Sequence, residues 1–93
     1  MEMKNPCHPG EILKDIIEEL NVSITETALK LGISRVTLSE IVNQRAGISP
    51  VMSLKLSKAF NTTPEFWLNM QQKYDLAQAR QTTNVDNIQK MYG

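Results

Sequence analysis

The chain has 93 residues, 41% of them hydrophobic and 22% charged, with a formal net charge of zero. That length supports one compact domain with a modest core, for which a dimer is a natural expectation, and the hydrophobic share excludes an intrinsically disordered chain. No apolar run approaches the ~20 residues of a membrane span. The N-terminus has no apolar stretch behind a basic one, so no signal peptide is expected. The lone cysteine, Cys7, cannot make an internal disulfide, which fits a reducing cytoplasm.

Capping signals divide the chain into helices. Residues 1–7 read as a flexible arm. Pro9 suits a first helical turn, where its missing N–H has no partner to lose. Ile12, Leu13, Ile16, Ile17 and Leu20 then recur at helical spacing, and Asn21, tolerant of left-handed angles, ends the helix. Ser23-Ile24-Thr25-Glu26 is a capping box that opens a short helix from Ile24 to about Leu31, stopped by Gly32. Ser34 caps a third helix over roughly 35–44, before Ala46-Gly47 breaks the chain. Ser49-Pro50 opens a fourth, with Met52, Leu56, Ala59 and Phe60 on its inward face and Asn61 at its end. Thr63-Pro64-Glu65 opens the fifth and longest, with an acidic residue near the positive end of its dipole. Trp67, Met70, Tyr74 and Ala77 mark its inner face. Residues 81–84 break the pattern, and Val85, Ile88 and Met91 suit a final helical turn or a pairing segment. No strand signal or internal repeat is present. The predicted class is all-α.

The informative stretch is Ile24 to Asn43. A helix-turn-helix requires a small residue where its second helix packs against the first, and Ala28 supplies it. The turn requires a residue free to take positive φ, and Gly32 stands four residues later. Leu31, Ile33, Leu38 and Ile41 fill the flanking apolar offsets. Outward on the second helix of the motif stand Ser34, Arg35, Val36, Ser39, Glu40 and Asn43, a mostly polar set suited to reading a groove. Arg35 matches a bidentate contact to guanine, Asn43 a contact to adenine or phosphate, and Val36 a thymine methyl. Ser34, Thr37 and Ser39 are short donors for phosphates or bases. Thr25 begins the preceding helix, where free N–H groups favour phosphate. Gln44 and Arg45 follow with further phosphate contacts. The expected partner is double-stranded operator DNA.

With these residues in place, the sequence resembles the phage-repressor-like helix-turn-helix family, the Xre or Cro/cI type. The opening His8-Pro9-Gly10-Glu11-Ile12-Leu13 is similar to the start of HigA antitoxins, also known as VapI-like proteins. So are Asn43-Gln44-Arg45-Ala46-Gly47-Ile48-Ser49-Pro50 and Pro64-Glu65-Phe66-Trp67-Leu68-Asn69-Met70-Gln71, followed by Tyr74-Asp75-Leu76-Ala77. The resemblance implies a five-helix domain over residues 8–80, with its motif at 24–43 and a C-terminal extension over 81–93. It implies a homodimer that represses its own promoter and neutralises a HigB-type toxin that cleaves mRNA on the ribosome, and it implies no enzyme activity. Many members of the wider family carry glutamine at the starts of the second and third helices, where this chain has Ile24-Thr25 and Ser34-Arg35. No operator contact is therefore carried over from them.

Charge is unevenly spread. Residues 11–20 carry a net charge of −3 and residues 23–45 a net charge of +1. The acidic first helix is either a surface for a basic toxin or a solvated face. Trp67 and Tyr74 read as core or dimer packing rather than as a partner-binding aromatic patch. Together with Val85, Ile88 and Met91 they form the candidate dimer contact, and for those last three a frayed terminus is the alternative. Cys7-His8 offers two adjacent metal ligands and leaves a tetrahedral site half empty, so no metal is expected. No cofactor, small-molecule substrate or membrane is expected, and no nucleophile stands beside a base. Two other functions fit the same fold: a stand-alone phage-type regulator, and a partner-binding module with weak DNA binding.

Overall fold

The structure, a computed structural model, describes residues 6–93. Most of the expected arm at residues 1–7 therefore lies outside the described residues. Five helices follow in chain order: α1 Pro9–Leu20, α2 Ile24–Leu31, α3 Arg35–Val42, α4 Pro50–Phe60 and α5 Pro64–Thr82. No strand occurs among the described residues.

Each helix begins where a side chain replaces a missing backbone acceptor. The hydroxyls of Ser23, Ser34, Ser49 and Thr63 accept the N–H of the residue three positions on, at 2.9–3.1 Å. At α1 the cap is His8, whose Nδ1 accepts the Gly10 N–H at 2.9 Å. Asn21, Gly32 and Asn61 end α1, α2 and α4 in the left-handed conformation. At Gly32 (φ 70°) the next N–H, from Ile33, reaches back to the Ala28 carbonyl and closes the turn between α2 and α3.

The core gathers Leu13 and Ile17 of α1, Ala28 and Leu31 of α2, Leu38, Ile41 and Val42 of α3, Ile48, Met52 and Leu56 around α4, and Trp67 of α5. Trp67 is fully enclosed, its indole N–H donates to Thr62 Oγ1 at 2.8 Å, and Phe66 meets it edge-on. α1 and α2 both pack against α3, while α4 packs against α5 and α2. At the α1–α3 crossing only a glycine fits, because a Cβ on Gly10 would run into the Ile41 carbonyl oxygen.

The structure departs from the sequence reading at three places. α3 stops at Val42 rather than near residue 44, because Gln44 turns left-handed (φ 62°) and returns its N–H to the Ile41 carbonyl. On α4, Ala59 is exposed and Ser53 is buried in its place, its hydroxyl donating to the Pro50 carbonyl so that no polar group is stranded. α5 runs on to Thr82. Beyond it Val85–Ile88 makes one turn, closed by the Ile88 N–H on the Val85 carbonyl, which is the first of the two forms expected for this segment.

Candidate nucleic-acid interface

A helix that reads DNA must be fixed on its inner side and bare on its outer side. α3 meets both conditions. Leu38, Ile41 and Val42 root it in the core, while Ser34, Arg35, Val36 and Thr37 are exposed and Ser39 and Glu40 half-buried. Val36 leaves 71% of its surface in solvent. An exposed β-branched residue in the first turn of a helix contributes nothing to the core and leaves its methyl groups accessible from outside.

Hydrogen bonds then sort the polar groups. Ser34 Oγ accepts the Thr37 N–H and donates to Thr37 Oγ1 at 2.8 Å. Ser34 is thereby spent as a cap, and the Thr37 hydroxyl keeps its proton for an outside acceptor. Asn43 Nδ2 donates to Ser39 Oγ at 3.2 Å. That bond fixes the carboxamide yet leaves Oδ1 and the second N–H free, the pair needed at an adenine edge. Arg35 and Arg45 are exposed, and both are cations. Glu40 adds one carboxylate beside them, which would repel phosphate and could accept from cytosine.

Past α3 the chain turns at Gln44, and the Arg45 and Ala46 N–H groups both return to the Glu40 carbonyl, at 2.8 and 3.2 Å. Gln44 and Arg45 are left exposed on a short, tied loop, with Gln44 Nε2 at 3.5 Å from Glu11 Oε2 of α1. Thr25 stands apart from this group, exposed in the first turn of α2. Nine of the ten expected contact residues therefore fall on one continuous stretch, residues 34–45, and the tenth on the neighbouring helix.

The expected dimer residues divide differently. Trp67 is corrected: it is 0% exposed within its own chain and presents no surface to a partner. Tyr74 is half-buried, with its ring 4.8 Å from His8 in an edge-to-face pair. Val85, Ile88 and Met91 are exposed beyond α5, and Met91 touches almost nothing.

Two residues with structural roles at this site escaped the sequence reading. His8 is a buried cap, and burial lowers its pKa below the ordinary 6.5, against the opposing pull of Asp75 and Glu11. Gln71 is a buried polar residue on the inner face of α5, one turn after Trp67. The only signal for it was a polar residue at an apolar register position. Among the described residues no group of three or more His, Cys, Asp or Glu stands close enough to hold a metal ion, and no helix is long and apolar enough to cross a membrane.

Comparison with known proteins agrees with this geometry. A family model described as helix-turn-helix matches residues 13–67. Virulence-associated protein A' of Dichelobacter nodosus is 54% identical over 77 residues, covering 82% of this chain and 67% of that protein. Antitoxin HigA-1 of Vibrio cholerae is 36% identical over 78 residues, covering 83% of this chain and 73% of that one. The structure of Pseudomonas aeruginosa antitoxin HigA with the higBA promoter superposes with a TM-score of 0.88 at 34% identity, over 96% of this chain and 100% of that chain.

Proposed function

The chain belongs to the helix-turn-helix family and, within it, to the HigA-like antitoxins; from that premise we propose that it is a dimeric repressor of its own promoter that also neutralises a HigB-type, mRNA-cleaving toxin. The observation that carries the DNA-binding arm is α3, rooted in the core on one side and lined by free Arg35, Val36, Thr37 and Asn43 groups on the other.

α3 enters the major groove, where Arg35 donates two hydrogen bonds to a guanine, Val36 meets a thymine methyl and Asn43 pairs with an adenine edge. Glu40 accepts from a cytosine amino group, and Ser34 and Ser39 hold the positions of Thr37 and Asn43. Thr25, Thr37, Gln44 and Arg45 bind phosphates and set the register. Residues 8–80 form the DNA-binding unit, and the extension at 81–93 joins the second copy through Val85, Ile88 and Met91, with Leu76 lining the same surface depression as Val85. Two protomers then read half-sites of an inverted repeat ~34 Å apart. Glu11, Asp15, Glu18 and Glu19, all exposed on α1, supply an acidic face for a basic toxin.

Arg35→Ala tests the reading at its centre. Operator binding should weaken by ~1–3 kcal/mol, and selection from a randomised operator should lose its preference at one position in each half-site. Unchanged affinity and preference would remove Arg35 from base reading.

A further inference from the structure

The loop between α3 and α4 is tied at both ends, by different elements. Its first half hangs on carbonyls of α3, as described for Gln44, Arg45 and Ala46. Its second half is held from behind by Gln71 of α5. Gln71 is 9% exposed, its Oε1 accepts the Ile48 N–H at 2.8 Å, and its Nε2 donates to Asp75 Oδ1 at 2.8 Å. Asp75 is a pure acceptor, so it fixes which end of the carboxamide faces the loop. Gly47 lies flat against that carboxamide: a Cβ there would stand 3.0 Å from its Cδ, Nε2 and Oε1.

We propose that Gln71 is a positioning residue for DNA binding: it never touches DNA, and it sets the path of residues 44–48 so that Gln44 and Arg45 meet phosphates in register. The inference rests on the reading above that this loop contacts the DNA backbone. A buried side chain that satisfies a loop N–H also fixes that loop's distance from α5. With the Ile48 anchor gone, the loop keeps its α3 ties but loses its far end, three and four residues from the phosphate-binding Arg45 and Gln44. Arg35 and Val36, on the first turn of α3, are untouched by the change. The signature is therefore a loss of backbone binding without a loss of base preference.

Gln71→Leu keeps the volume and removes both hydrogen bonds. It should bind the operator about tenfold more weakly, with an unaltered base preference and a salt slope shallower by about 0.9 for each phosphate no longer neutralised. The exchange Gln71→Glu with Asp75→Asn reverses donor and acceptor at constant charge and should restore both affinity and slope. Gly47→Ala presses the same clamp from the loop side and should reproduce the shallower slope even if Gln71→Leu fails to fold. A wild-type slope in folded Gln71→Leu, or in Gly47→Ala, would overturn the proposal, as would a loss that the exchange does not rescue. Arg45→Ala separates the two levels. A shallower slope there with a normal slope in the clamp variants overturns the clamp alone. An unchanged slope in Arg45→Ala overturns the phosphate-binding loop and the clamp together.

Discussion

His8 shows how much one residue can carry that its type conceals. Beside Cys7 it offers too few ligands for a metal site. In the fold its Nδ1 is an acceptor for the Gly10 N–H and its ring packs edge-on against Tyr74. Only the neutral imidazole can accept at Nδ1, and burial accordingly lowers its pKa below 6.5. The unfolded chain therefore takes up a proton that the folded chain resists. Stability from this group is complete above pH 6.5 and is lost as pH falls from there through the lower folded pKa. Thermal melts between about pH 7.5 and about pH 5 should show a falling midpoint in the wild type. His8→Asn, which keeps a capping acceptor that does not titrate, should show a flatter profile, and an equally steep one would remove His8 as the cause. Sequence reasoning missed this cap because His is not among the usual capping residues. It missed Gln71 because a buried polar side chain is defined by its partners, Ile48 and Asp75, and those are 23 and 4 residues away.

At the scale of the element, the helices were legible where local chemistry sets their ends. Ser23, Ser34, Ser49 and Thr63 are polar caps before helix-forming runs, and the structure begins a helix after each. The end of α3 was not legible, because nothing marks Gln44 as a residue that accepts left-handed angles. On α4, Ser53 buries in place of the smaller, apolar Ala59, since helix phase against Leu56 and Met52 decides burial, not hydropathy alone. Gly10 of α1 leaves no room for a side chain beside the Ile41 carbonyl of α3. Gly10→Ala must part α1 from α3 or shift the backbone that carries the recognition residues. The variant should lose ~3 kcal/mol or more, at the upper end of overpacking costs, because the obstacle is backbone and cannot rotate away. Chemical denaturation measures this directly, and a loss under ~1 kcal/mol, as for a surface change, would show that the crossing is slack.

As a whole molecule the chain is longer than its core requires. Its radius of gyration is 16.0 Å and its extents are 53 × 26 × 23 Å, against about 13 Å for a compact domain of this size. The excess is the far half of α5 and the tail, where residues 78–93 are all exposed and Val85, Ile88, Met91 and Tyr92 find no cover. Apolar groups held out in this way suit a second copy. Composition alone could not show the projection, because a helix at 64–82 reads the same whether docked or free. The zero net charge is also understood only at this scale: four of the ten acidic residues stand on α1, and Arg35 and Arg45 are the cations of the candidate DNA face.

The most direct test is a titration of the protein against the DNA upstream of its own gene, with scrambled competitor, across a range of salt concentrations. Saturable binding of two chains per site that survives competitor is the expected result. With Arg45 as the one cation placed on phosphate in each of two protomers, about two phosphates are neutralised, and the salt slope should be shallow, about −1.8. Equal binding to scrambled DNA, or none to either, would contradict specific recognition by α3.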